Sequence, residues 1–225
     1  MSRDMLWYEL FERMQDNHCP ICSLLDKMVD GVMESFLYES VNNPGLRDKI
    51  KKAHGLCYLH SKMMMEKGDP LAHALVYSDL IIQAIDEISK KNINAFAAYD
   101  KHDECIFCQN VNKSEAIYAK AFLSAYQDKE FEEKYLEEGL LCMSHVKLIL
   151  ENTSKSQMNI LNSILKVTED KYGKLVYDLS EIKRKNDYRY KDEEWTESER
   201  KAWKKAVAVI NKFDEIGRAS CRERV

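Results

Sequence analysis

Six cysteines and two histidines constrain this chain more than any other feature. Cys19-Pro20-Ile21-Cys22 is followed by Cys57 and His60, and Cys105-Ile106-Phe107-Cys108 is followed by Cys142 and His145. Between Cys22 and Cys57 lie 34 residues; between Cys108 and Cys142 lie 33. The second set trails the first by 86 positions at Cys-x-x-Cys and by 85 at Cys-x-x-His, and a leucine (Leu56 or Leu141) precedes each Cys-x-x-His. Phe36-Leu37 falls on Phe122-Leu123 in the same register. Two motifs recurring at a nearly constant offset mark an internal duplication.

Three thiolates and one imidazole make a closed ligand set for zinc, which asks only for tetrahedral placement of nitrogen and sulfur. Cys-x-x-Cys brings two sulfurs from one tight turn to one ion, and Cys-x-x-His sets the other pair one helical turn apart. Taken by nearness in sequence, each copy supplies its own centre. Cys19, Cys22, Cys57 and His60 would hold one zinc, and Cys105, Cys108, Cys142 and His145 the other, each ion pinning the base of a helical hairpin. With every position filled by protein, no site remains for an activated water, so the two ions are expected to be structural. An iron–sulfur cluster on the same ligands stays open. Haem attachment is excluded, because Ser23 and Gln109 stand where a histidine would be needed. A thiol–disulfide active site would want a βαβ pattern, which is missing. His18, His102 and His54 lie near ligands without recurring at equivalent positions, and His73 has no evident partner. Met63-Met64-Met65 reads as helix packing.

The chain has 225 residues, of which 45% are hydrophobic, with seven glycines and three prolines. That composition favours helices and leaves little turn chemistry for strands. The expected fold is all-α, with two zinc-stapled helical-hairpin modules and a C-terminal helical region. Residues 1–100 are assigned to the first module, 101–170 to the second, and 171–214 to the helical region. Amphipathic helices are expected near 4–16, from Ser23 to about Val41, over Leu46–Ile50, and from Asp69-Pro70 to about Tyr99. Met158, Leu161, Leu165, Thr168, Tyr172, Leu175, Leu179 and Ile182 form a heptad seam, fit for a bundle or for pairing with a second copy. Gly173 inside it is a candidate kink. Thr196-Glu197-Ser198-Glu199 spells a capping box for a last helix carrying Trp203, Val207 and Ile210.

Residues 215–225 break from this pattern and read as translated sequencing adapter, with the natural chain expected to continue past about Asp214. Setting them aside removes Cys221, so that every remaining cysteine belongs to the repeated motif. Leaving out residues 216–225, which carry three arginines and one glutamate, also takes the formal charge from −4 to about −6. Net acidity argues against general phosphate-backbone binding, although Lys183, Arg184, Lys185 and Arg189 form a local basic stretch. No run is long and apolar enough to span a membrane, and no apolar core of signal-peptide length opens the chain. A cytoplasmic setting, where thiols stay reduced and bind metal, is expected.

The twofold motif, with Ile106 replacing proline in the second copy, resembles an uncharacterised bacterial family of unknown function. Asp187 to Glu193 and Ala202-Trp203 extend the resemblance. Its members sometimes carry an automatic label as transporter substrate-binding proteins, and the absence of a signal-peptide pattern speaks against an extracytoplasmic receptor. The resemblance implies the fold more than an activity. No P-loop, GxGxxG, GxSxG or HExxH is present, and no catalytic residue is singled out. The leading expectation is a protein-interaction or scaffold module with a protein partner. A nucleic-acid-binding regulator and a thiol-based redox or metal sensor are the alternatives.

Overall fold

A computed structural model describes residues 3–14, 18–91, 94, 97, 99, 105–190 and 192–211. Among these residues there are ten α-helices and no strand. They are α1 (Met5–Glu12), α2 (Pro20–Ser35), α3 (Pro44–Lys52), α4 (Tyr58–Lys67), α5 (Pro70–Ser89), α6 (Ile106–Ala125), α7 (Lys129–Glu137), α8 (Met143–Asn152), α9 (Met158–Lys185) and α10 (Glu197–Asn211). A π-helical turn, Phe36–Ser40, extends α2, and a 3₁₀ turn, Lys155–Gln157, leads into α9. The adapter-like segment and His102 lie outside the described residues.

Local chemistry sets many of these ends. Asp69 accepts from the Ala72 N–H at 3.0 Å with Pro70 behind it at the first helical position, and Gly68 closes α4 in the left-handed region (φ 73°). Pro44 opens α3 under an Asn43 cap. The capping box at α10 is formed in both directions: Glu199 N–H donates to Thr196 Oγ1 (3.2 Å) and Thr196 N–H to Glu199 Oε2 (3.0 Å).

The chain divides into two compact units, one of residues 25–114 and the other of residues 1–24 with 115–223. In the first, Lys67 on α4 reaches Asp30 (2.8 Å) and Glu34 (2.6 Å) on α2. Phe36 meets Phe107 edge-on, with ring centroids 5.7 Å apart. On α5 the buried face is Ala72, Val76 and Leu80, whereas Leu71, Ile82, Ile85 and Ile88 are 58–67% exposed.

The second unit is built on aromatic rings. Phe122 lies edge-on to Phe131 (5.5 Å) and Tyr135 (5.4 Å), and Trp7 and Phe11 close over Phe131. Tyr135 donates to Thr168 Oγ1 (2.9 Å), which donates onward to the Ile164 carbonyl (2.8 Å). The heptad seam is used within this unit. Leu175, with Tyr172, Leu179 and Ile182 beside it, packs on Leu140, Ala202, Ala206 and Val209. Of the two uses the seam allowed, a bundle or a second copy, its stretch from Tyr172 to Ile182 takes the first, because α10 folds back along α9.

α9 runs unbroken through Gly173, where an added Cβ would meet nothing within 4 Å. At Gly139, by contrast, a Cβ would overlap the fully buried Tyr135 ring. Two alanine substitutions should thus have opposite signs. Gly139→Ala is expected to cost about 1–3 kcal/mol through overpacking, and Gly173→Ala to gain up to about 1 kcal/mol by removing helix-interior glycine. Urea unfolding of the two variants measures both.

Candidate metal centres

All four ligand pairs sit at helix N-termini. Cys19 and Cys105 immediately precede α2 and α6, and Cys57 and Cys142 are the N-caps of α4 and α8. In each pair the second ligand follows three residues later, at the third helical position. The x-x spacing works because the N-cap side chain folds over the first turn toward that position. Backbone bonds hold the turn: Ser23 N–H to the Cys19 carbonyl (3.1 Å), Ser61 to Cys57 (2.9 Å), Gln109 to Cys105 (3.0 Å) and Val146 to Cys142 (2.9 Å). Cys57 and Cys142 make no side-chain cap bond. The positive ends of the helices face the sulfurs and favour thiolate.

The eight residues form two clusters, but not along the copies. One is Cys19, Cys22, Cys142 and His145; the other is Cys57, His60, Cys105 and Cys108. The all-helical architecture and two groups of three cysteines and a histidine stand as expected, while the assignment of both pairs of one copy to one centre is corrected. Each Cys-x-x-Cys joins the Cys-x-x-His of the other copy, and each cluster falls inside one compact unit. Either partner offers identical chemistry. The choice is made by packing, which sets the start of α2 against the start of α8 and the start of α4 against the start of α6.

In the first cluster His145 Nδ1 lies 3.2 Å from Cys19 Sγ, 3.3 Å from Cys22 Sγ and 3.2 Å from Cys142 Sγ, and the Cys22 and Cys142 sulfurs are 3.6 Å apart. In the second, His60 Nδ1 lies 3.1 Å from Cys57 Sγ and 3.5 Å from both Cys105 and Cys108, with Cys57 and Cys108 sulfurs 3.6 Å apart. Within each cluster all four ligand atoms lie within 4.8 Å of one another, close enough to hold one metal ion. Electrostatics favour a cation at the first. Burial pushes the Cys19 thiol up, yet hydrogen bonds from Cys142 and Cys22 and the charge of His145 bring it well below its ordinary value. Burial likewise pulls His145 down, but the Cys19 thiolate and the surrounding sulfurs carry it well above. Cys22 is held well above the usual thiol range, first by its bonds to Cys142 and Cys19. Cys22 therefore retains a proton that a dication would displace.

Sequence reasoning missed Glu115. Its carboxylate is buried, and Oε1 lies 3.1 Å from His145 Nε2, on the ring edge away from the sulfurs. No motif marks it; only folding brings α6 beside α8. Tyr172 was read as a seam residue, and its hydroxyl also donates to the Leu141 carbonyl at 2.7 Å, fixing the backbone just before Cys142.

His54 and His73 have partners away from the clusters. His54 Nε2 is 3.3 Å from Glu87, and His73 Nδ1 is 2.5 Å from the Asp69 carbonyl. Of Met63-Met64-Met65, the first two are buried in packing and Met65 is exposed. In the basic stretch, Lys185 is buried against both Glu199 oxygens (2.8 and 2.9 Å). Arg184 pairs with Glu181 and Glu193, and Arg189 with Asp187. Three of the four cations counted toward a nucleic-acid surface are matched by carboxylates. No helix among the described residues is long and apolar enough to cross a membrane.

A model for a family of unknown function, DUF6062, matches residues 6–215. The chain is also 32% identical over 202 residues, covering 89% of its length and 98% of the relative's, to a protein of Caldicellulosiruptor sp. (strain Rt8B.4) described as "Uncharacterized 23.9 kDa protein in xynA 3'region". No solved structure matches. On this coverage the chain belongs to the family of unknown function DUF6062.

Proposed function

We propose that this is a zinc protein in which Cys19, Cys22, Cys142 and His145 hold one ion and Cys57, His60, Cys105 and Cys108 a second, both structural. The observation that carries this reading is the convergence of two helix N-termini at each cluster, with three sulfurs and one imidazole nitrogen facing one point. A tetrahedral zinc with bonds of about 2.3 Å to sulfur and about 2.0–2.1 Å to nitrogen has S···S edges of about 3.8 Å and S···N edges of about 3.6 Å. The 3.6 Å sulfur separations lie close to that edge, and the sulfur–nitrogen separations of 3.1–3.5 Å lie somewhat inside theirs. Four protein donors complete the shell, so such an ion would polarise no substrate and generate no hydroxide. It would join helices instead.

The larger role is that of a cytoplasmic module binding a protein partner. Support comes from the exposed isoleucines on α5, Ile81, Ile82, Ile85 and Ile88, each 58–64% exposed within two turns. The nucleic-acid alternative loses ground because three of its four basic residues are paired within the chain. Elemental analysis of protein purified without chelator tests the metal reading. Two zinc ions per chain are expected; iron, or no metal, would contradict it.

A further inference from the structure

We propose that Glu115 is the positioning residue for His145, and that it acts on one of the two centres only. The inference rests on the reading of Cys19, Cys22, Cys142 and His145 as metal ligands. His145 presents Nδ1 to three sulfurs at 3.2–3.3 Å. A metal bound at Nδ1 leaves the ring proton on Nε2, and the Glu115 carboxylate stands 3.1 Å from that atom. Both side chains are almost wholly buried, at 1% and 3% exposure, so bulk water cannot substitute for the carboxylate. A carboxylate that accepts from Nε2–H once the metal sits on Nδ1 would fix the tautomer, hold the ring plane and make Nδ1 a stronger donor.

The duplication limits the effect to one site. At the offset of the Cys-x-x-Cys motifs, position 115 corresponds to Val29, a buried apolar residue. Whatever contacts His60 makes, none comes from a carboxylate at the equivalent place. The two centres share a ligand set and differ at this position, Glu115 in one and Val29 in the other.

Cadmium-113 NMR of the full chain, with the ion exchanged into both centres, provides a probe that reports each separately. Wild-type protein should give two resonances. Glu115→Gln, nearly the same shape but uncharged, should move one and leave the other in place. Glu115→Asp, which keeps the charge but withdraws it by one methylene, should move that same resonance. Zinc release to a chelating dye should quicken by about tenfold at one site in Glu115→Gln, with the second site at its wild-type rate. A role confined to packing would leave both resonances and both rates unchanged, and that result would overturn the proposal. So would equal displacement of both resonances. Wild-type protein that takes up no metal would instead refute the underlying reading of the ligands.

Discussion

Stripping the metal is expected to unfold the chain. Each centre ties two helix starts together at the base of a unit, and without an ion three thiols and an imidazole are left crowded with their Nδ1 and Sγ atoms 3.1–3.6 Å apart. Structural zinc in small domains contributes about 10–16 kcal/mol of apparent binding free energy, comparable to or larger than the roughly 5–15 kcal/mol that usually separates folded from unfolded states. Addition of a strong chelator should therefore abolish the cooperative melting transition and most of the helical circular dichroism. Zinc should restore both. Magnesium, a hard ion that prefers oxygen ligands, should not. Chelated protein that keeps its helices and its melting transition would show that the clusters are ornaments on a self-sufficient core.

The second large effect is expected at Phe122. Its side chain is fully buried and makes edge-on contacts with Phe131 and Tyr135, while Tyr126 lies 6.2 Å away. Truncation to alanine removes the ring and leaves a cavity that its stiff aromatic neighbours cannot fill. Phe122→Ala should cost about 3–5 kcal/mol in metal-loaded protein, read from the urea midpoint at an unchanged slope. The cost comes from lost transfer, lost ring–ring attraction and the void together. A loss below about 1 kcal/mol would mean that the ring cluster is loosely packed.

Much of this architecture was legible before any coordinates. The duplication, the eight metal-capable residues, the Asp69-Pro70 helix start and the Thr196–Glu199 capping box follow from local chemistry, which acts over three or four residues. What the sequence could not convey depends on which surfaces meet. Two Cys-x-x-His motifs are equivalent suitors for either Cys-x-x-Cys, and sequence distance favours the wrong one. The seam from Met158 to Ile182 identifies a packing face without saying whether a second copy or α10 covers it. On α5, two apolar faces compete: Ala72, Val76 and Leu80 are inside, while the larger isoleucines remain outside. Glu115 looks like one more surface glutamate, because only the approach of α8 gives it a histidine.

Crossed pairing between the copies is the claim on which the rest depends, and zinc stoichiometry in two double variants tests it most directly. Cys19→Ser with Cys142→Ser removes two ligands from one cluster, so that variant should retain one zinc per chain. Cys19→Ser with Cys57→Ser damages both clusters, and that variant should retain none tightly. Pairing within each copy predicts the reverse, with one zinc kept by the second variant and none by the first. That reversed outcome would contradict the crossed arrangement outright.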